Sequence, residues 1–378
     1  MTIIVTPITN VDGVRLHRPP GPAPASASCG RHWKHVLRST WIRSFLSGRT
    51  QQVAYGGDQS FTTVVLFGVP QGTVLGPLLY VLYTAPLFNV IAQHRVDAHQ
   101  YADDLQLYLC VPPAEASVAA DRLDACLADV EAWLNGSRLR LNPSKTQVMW
   151  LGSAQQLAKV RLDEVPVLSS QVRVVDAARN LGVVVDSQLS MSAQVAAVCR
   201  GGYYQLRQLR PLKRCMTAEA MKTLTHAFIG SRLDYCNVLY CGIAEGLLSR
   251  LQSVQNAAAR LVTGLGRRDH ITPVLRQLHW QPVCQRVQFK LATLVYRSLA
   301  GTAPAYLSDE CHLTSSGVRS LRSADSRTCV PRRAHNSYGD RCFATAGPSL
   351  WNSLPQQLRQ SDTSFNRFKT LLKTFLFR

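Results

Sequence analysis

Residues 96–110 read Val-Asp-Ala-His-Gln-Tyr-Ala-Asp-Asp-Leu-Gln-Leu-Tyr-Leu-Cys. Alternation and β-forming residues on either side of two acidic ones predict two short strands turning at Asp103 and Asp104. Adjacent carboxylates at a hairpin tip repel each other unless a divalent cation neutralises them, which points to Mg²⁺. On alternating sides of a tight turn, one carboxylate is able to bridge two cations while its neighbour supports the site, as phosphoryl transfer between nucleotides requires. The same pair also suits ordinary solvated turn residues, since Asp is common in turns.

Working outward, an apolar strand at 63–67 leads into Gly-Val-Pro-Gln-Gly at 68–72, where two glycines allow an unusual backbone path. Placed at the mouth of a helix, this turn favours anions, with Gln71 positioned to hydrogen-bond a nucleotide or a template strand, or it is a strand-to-helix turn whose glycines merely satisfy backbone geometry. The helix that follows has apolar residues nearly all round from Val74 to Ile91, the pattern of a helix buried beneath a sheet. Downstream, residues 114–136 form an amphipathic helix, with Val118, Leu123, Leu127, Val130 and Leu134 along one stripe. Leu141-Asn142-Pro143-Ser144-Lys145-Thr146 is then a turn presenting a lysine before a strand, either to hold a phosphate charge or as a solvated turn residue.

Strands are expected at 146–151, 172–175 and 181–185, and long helices between about 189 and 300. Residues 311–378 are basic and read as poor in helix until about Phe365. At the other end, residues 1–31 are rich in proline and small residues, and read as a disordered leader ahead of an amphipathic helix at His35 to Leu46. Across all 378 residues, 42 Lys and Arg face 23 Asp and Glu, a net charge of +19, which selects a polyanionic partner. The eleven cysteines are scattered, without paired metal-ligand spacing, and suit a reducing compartment. The apolar run from Val74 to Ile91 is broken by Pro77, Thr84, Pro86 and Asn89, so no membrane span or signal peptide is expected.

Taken in order, Gly-Val-Pro-Gln-Gly, Tyr-Ala-Asp-Asp and Leu-Asn-Pro-Ser-Lys-Thr resemble three successive motifs of reverse transcriptases. Ser-Phe-Leu-Ser-Gly-Arg-Thr-Gln-Gln-Val at 44–53 and Gly-Thr-Val-Leu-Gly-Pro-Leu-Leu-Tyr at 72–80 narrow the resemblance to polymerases of non-LTR, LINE-type retrotransposons. Similar text continues at Asn180 to Val183, Arg232 to Asn237, Gln255 to Arg260, Leu278 to Val283, Tyr338 to Arg341 and Gly347 to Asn352. The resemblance implies an α+β fold: part of a polymerase palm at 32–188, an antiparallel sheet with helices packed on it, then a helical thumb at 189–310 and a basic region at 311–378. It implies a primer grip near 181–185, an RNA template, a DNA primer and deoxynucleotides as partners, synthesis in the cytoplasm and action on nuclear DNA. By the same resemblance Asp103 and Asp104 are metal-binding catalytic residues and Lys145 assists the leaving group, while Gln71, Gly72 and Tyr101 meet nucleotide or template.

One part of the pattern is missing. The family takes a further catalytic aspartate from an earlier palm strand, in a run resembling Ala-Phe-Asp that lies shortly before the helix ending near Leu46. Here the sole acidic residue between 1 and 57 is Asp12, and the chain at the expected place reads Leu16-His17-Arg18-Pro19-Pro20, where proline disfavours a central strand. Fingers and an upstream endonuclease, which the resemblance also implies, have no counterpart in this sequence. Two expectations follow: a polymerase segment inactive as this chain, with palm edges and apolar surface laid open, or a nucleic-acid-binding protein that acts without chemistry.

Overall fold

The computed structural model describes residues 2–10, 40–70, 72–314, 327–334, 337–360 and 362–377. These divide into two compact units, 1–176 and 177–378. The first unit is built on an antiparallel sheet. Its middle strand is β1 (Thr2–Asn10), flanked on one side by the hairpin of β2 (Asp97–Tyr101) and β3 (Asp104–Leu109), and on the other by β4 (Leu139–Leu141) and β5 (Gln147–Trp150). Thr2 to Pro7 pair with Leu109 to Asp104, Thr2 to Val5 with Trp150 to Gln147, and Ile8 to Asn10 with Leu141 to Leu139.

This corrects the expected disordered leader over its first part: Thr2–Asn10 is ordered strand at the sheet centre, while residues 11–31 lie outside the described residues. The run Thr-Ile-Ile-Val-Thr is short but strongly β-forming, and its ladder bonds come from segments about a hundred residues or more away. Pro7 is tolerated because on one side it falls between the stretches paired to β5 and β4, and on the other it is opposite the last residue of the β3 pairing.

The sheet packs against α4 (Ala116–Gly136), whose stripe Ala119, Leu123, Cys126, Leu127, Val130 and Leu134 is wholly buried against Leu105 and Leu107. Upstream, α1 (Thr40–Leu46) is followed by two-residue strand pairs, and then by α2 (Gly76–Thr84) and α3 (Leu87–Gln93). The expected buried helix over 74–91 is therefore two helices broken at Ala85-Pro86, and it is buried on one side alone. Leu79, Leu87 and Ile91 enter the core, whereas Val74 is 95% exposed, Leu78 57% and Val81 56%. A pair of two-stranded hairpins completes the region: β6 (Glu164–Val167) with β7 (Ser170–Arg173), and β8 (Ala177–Asn180) with β9 (Val183–Asp186), the latter opening the second unit.

The second unit is helical, as the change of period near 189 predicts. Its principal helices are α5 (Ser192–Leu212), α6 (Ala218–Thr225), α7 (Glu245–Thr263) and α8 (Val283–Leu299). Val195, Leu206, Leu209, Leu251, Val254, Ala258 and Val287 share one core. The tail differs from the helix-poor reading: α9 (Phe343–Ser353) and α10 (Phe365–Leu376) pack on α8 through Val295, Trp351, Phe368 and Leu372. Gly347 and Pro348 hid α9, yet Pro348 is buried, and a Cβ at Gly347 would stand 3.0 Å from Val295 Cγ2, so the glycine sets how closely α9 approaches α8. Within this unit, Cys311, Cys329, Trp351, Leu354, Leu358, Phe368 and Leu372 share a core with Ala292 and Val295 of α8.

Leu123 is fully buried where α4 meets the sheet, and Leu123→Ala is expected to lower stability by about 2–5 kcal/mol in urea unfolding, through lost apolar burial and the cavity left behind.

Candidate active site

The β2–β3 hairpin turns over Ala102 and Asp103, with Ala102 in the left-handed region at φ +53° and Tyr101 paired to Asp104. The turn is anchored from beneath. Gln100 Nε2 donates to Ala102 O at 2.9 Å and to Thr84 Oγ1 at 3.2 Å, and Thr84, itself buried in α2, donates to Tyr80 O at 3.0 Å. Asp103 is exposed at the tip, Asp104 half-buried at the start of β3, and Tyr101 68% exposed.

The Asn142 to Thr146 turn is held by its own side chains: Ser144 Oγ donates to Asn142 Oδ1 at 2.6 Å and Thr146 Oγ1 to Asn142 O at 3.1 Å. This turn lies against β1 and leaves Lys145 exposed. Burial pushes the Asp104 carboxyl up, the charge of Asp103 raises it further, and Lys145 pulls it back. The same field reaches Tyr80, whose phenol is pushed up to about 12 by burial and then by Asp103, with Gln100 acting the other way. The fold thus brings Asp103 and Lys145 within electrostatic reach of Asp104.

Tyr80, Thr84 and Gln100 complete that neighbourhood and were not singled out from sequence. Their signal is faint, amounting to a polar residue at the end of an apolar helix and a glutamine in a strand. Gly72, with φ +82°, sits in a separate turn ahead of α2, which begins at Gly76 with Thr73 Oγ1 accepting from Gly76 N at 3.2 Å. The turn at 68–72 therefore does not open directly onto the helix. Gln71 lies outside the described residues.

Asp103 and Asp104 are the two carboxylates that the hairpin tip offers to a cation. Among the described residues no group of three Asp, Glu, His or Cys is gathered as a metal site. The strand beside β3 is β1, and it contributes Thr, Ile, Val, Pro and Asn but no carboxylate, with Pro7 at the register position of Asp104.

In the second unit the family-like text acts as internal scaffolding. The β8–β9 turn uses Leu181 and Gly182, both at positive φ, and Tyr235 O–H donates to Leu181 O at 2.6 Å. The expected strand at 181–185 thus starts at Val183, with its first two residues spent on the turn. Asp234 accepts from Arg286 Nε at 2.7 Å, Gln255 Nε2 donates to Gln281 O at 2.7 Å, and Arg341 donates to Leu189 O at 2.6 Å. Asn352 exchanges two 2.8 Å hydrogen bonds with the backbone of Cys329.

Compared with known families, residues 27–185 match the model described as reverse transcriptase (RNA-dependent DNA polymerase). The chain is similar to the probable RNA-directed DNA polymerase from transposon BS of Drosophila melanogaster, 30% identical over 238 residues, covering 59% of this chain and 25% of that protein. It is 27% identical over 231 residues to the corresponding protein of the X-element from the same species, covering 59% of this chain and 24% of that protein. To the RNA-directed DNA polymerase from mobile element jockey of Drosophila funebris it is 23% identical over 235 residues, with 59% and 25% covered. Residues 27–185 are thus similar to reverse transcriptase domains, within a mixed α+β chain. The segment is of the non-LTR retrotransposon type, and the chain spans about a quarter of the length of the curated relatives it matches.

The raised Asp104 carboxyl fixes the sign of a pH effect. The native state holds this proton more tightly than the unfolded chain, so the contribution is present in acid and is lost as pH rises through the carboxylate range. Asp104→Asn is expected to raise Tm at pH 7, with the gain vanishing below about pH 4, where the acid is protonated in both states.

Proposed function

We propose that this chain is the palm and thumb portion of a non-LTR retrotransposon reverse transcriptase that binds nucleic acid but does not extend a primer. In this reading the palm is 32–188, the thumb 189–310 and a further basic region 311–378, with a primer grip near 181–185. The carrying observation is the absence of a carboxylate on β1 beside Asp103 and Asp104. Two divalent cations are needed to align an attacking 3′-hydroxyl and an α-phosphate, and even lesser losses around a metal typically cost about 10- to 100-fold.

What the site's own residues do follows from their charges. Asp103 and Asp104 attract a single hydrated Mg²⁺ weakly, Lys145 offsets part of their repulsion and is placed to meet a phosphate, and Tyr80 stays protonated at neutral pH. Tyr101, Gly72 and Gln71 stand as contacts to nucleotide or template. RNA template and DNA primer are the partners, met mostly through the sugar-phosphate backbone by Lys and Arg. Work in the cytoplasm and on nuclear DNA belongs to the same reading.

Primer extension on an RNA template by the purified full chain, with Mg²⁺ or Mn²⁺, tests the proposal. No extension is expected, while oligonucleotide binding falls steeply with salt and is unmoved by Asp103→Asn. Extension that Asp103→Asn abolishes overturns it. A gain test uses the register: Pro7→Asp puts a carboxylate opposite Asp104 and is expected to tighten Mn²⁺ binding by about tenfold or more in calorimetry.

A further inference from the structure

A concavity of the second unit, about 700 Å³, runs between α5 and α7 and is lined by Arg200, Tyr203, Tyr204, Arg207, Arg250 and Ser253. On α5 these positions recur at three- and four-residue spacing, forming a stripe on the face away from the buried Val195, Leu206 and Leu209. Arg250 and Ser253 join it from α7 because the helices cross closely: a Cβ at Gly202 would meet Val254 Cγ1 at 2.6 Å. Glycine at 202 therefore sets the width of the groove.

Its chemistry is unusual for a solvated helix face. Among the described residues none of the three arginines has a carboxylate partner, and no acidic residue lines the groove. Unpaired guanidinium groups converging on one concavity form an anion site awaiting a counter-charge. Tyr203 and Tyr204 stand among them with 42% and 52% of their surface exposed, although large aromatic rings normally gain by burial. Arginine at phosphate spacing suits any nucleic acid, but open aromatic faces serve bases whose own faces are free, which is the state of an unpaired strand.

We infer that the α5–α7 groove binds single-stranded nucleic acid, with Arg200, Arg207 and Arg250 on the phosphates and Tyr203 and Tyr204 stacking bases. The inference rests on the reading that the chain binds nucleic acid, and it adds the form of the strand and the residues that hold it. A double helix keeps its base faces stacked on one another, so the tyrosines have nothing to add to duplex binding.

Fluorescence anisotropy on the full chain tests this, with a fluorescein-labelled oligothymidylate strand and a duplex of equal length. The single strand is expected to bind more tightly than the duplex. Tyr203→Ala with Tyr204→Ala weakens single-strand binding by about tenfold or more and leaves duplex binding unchanged, whereas the two Tyr→Phe changes together keep it. Joint replacement Arg200→Gln, Arg207→Gln and Arg250→Gln lessens the slope of log K against log salt by about 2, while Arg267→Gln with Arg268→Gln, in an exposed loop, leaves the strand preference intact. The arginines lie at the surface, so their variant keeps the test decisive if the alanine pair disturbs packing. Single-strand binding that survives both groove variants overturns the groove and leaves nucleic-acid binding standing. Tighter binding of the duplex overturns the strand assignment, and a chain that binds neither oligonucleotide overturns both readings.

Discussion

The first unit depends on β1. Without Thr2–Asn10, β3 and β5 each present an open edge, and the sheet falls into a hairpin and a separate pair of short strands with no common ladder. Unpaired edges of this kind recruit other chains, so a strand that joins both flanks converts two liabilities into one core face. This strand precedes the 27–185 segment that matches reverse transcriptases. A stretch from outside the matched segment completes the sheet, and it does so because backbone pairing asks little of side chains.

Sheet formation needs β-forming residues with the right reach, and Thr-Ile-Ile-Val-Thr supplies them. At the register position of Asp104 the same strand carries Pro7. What is left is a repelling carboxylate pair partly offset by Lys145, with Asp104 drawn towards its protonated form. The unbalanced cationic charge gathers elsewhere, in a groove where arginines lack carboxylate partners and tyrosines lack cover.

Much of this was legible locally. Alternation around Asp103 and Asp104 gave the β2–β3 hairpin, the Leu123 to Leu134 stripe gave α4, and Leu251, Val254 and Ala258 gave α7. The motifs around 68, 101 and 141 announced a polymerase lineage. The misses are those in which a local rule met a distant partner. Proline-rich composition concealed β1, whose bonds come from far along the chain, and Gly347 and Pro348 concealed α9, whose burial is provided by α8. An all-round apolar pattern suggested full burial for 74–91, yet nothing in the described unit covers Val74, Leu78 or Val81.

The sequence by itself determined the elements whose faces repeat within one turn or one pleat, the adjacency of the two carboxylates, and the excess of positive charge. Tertiary structure decided which strand fills the centre of the sheet, that Lys145 stands near Asp104, and that arginines from α5 and α7 meet beside exposed tyrosines. The reason is the range of the forces. Periodicity and turn chemistry act over a few residues, whereas strand register, helix crossing and the field of a charge depend on groups that meet only when the chain closes on itself.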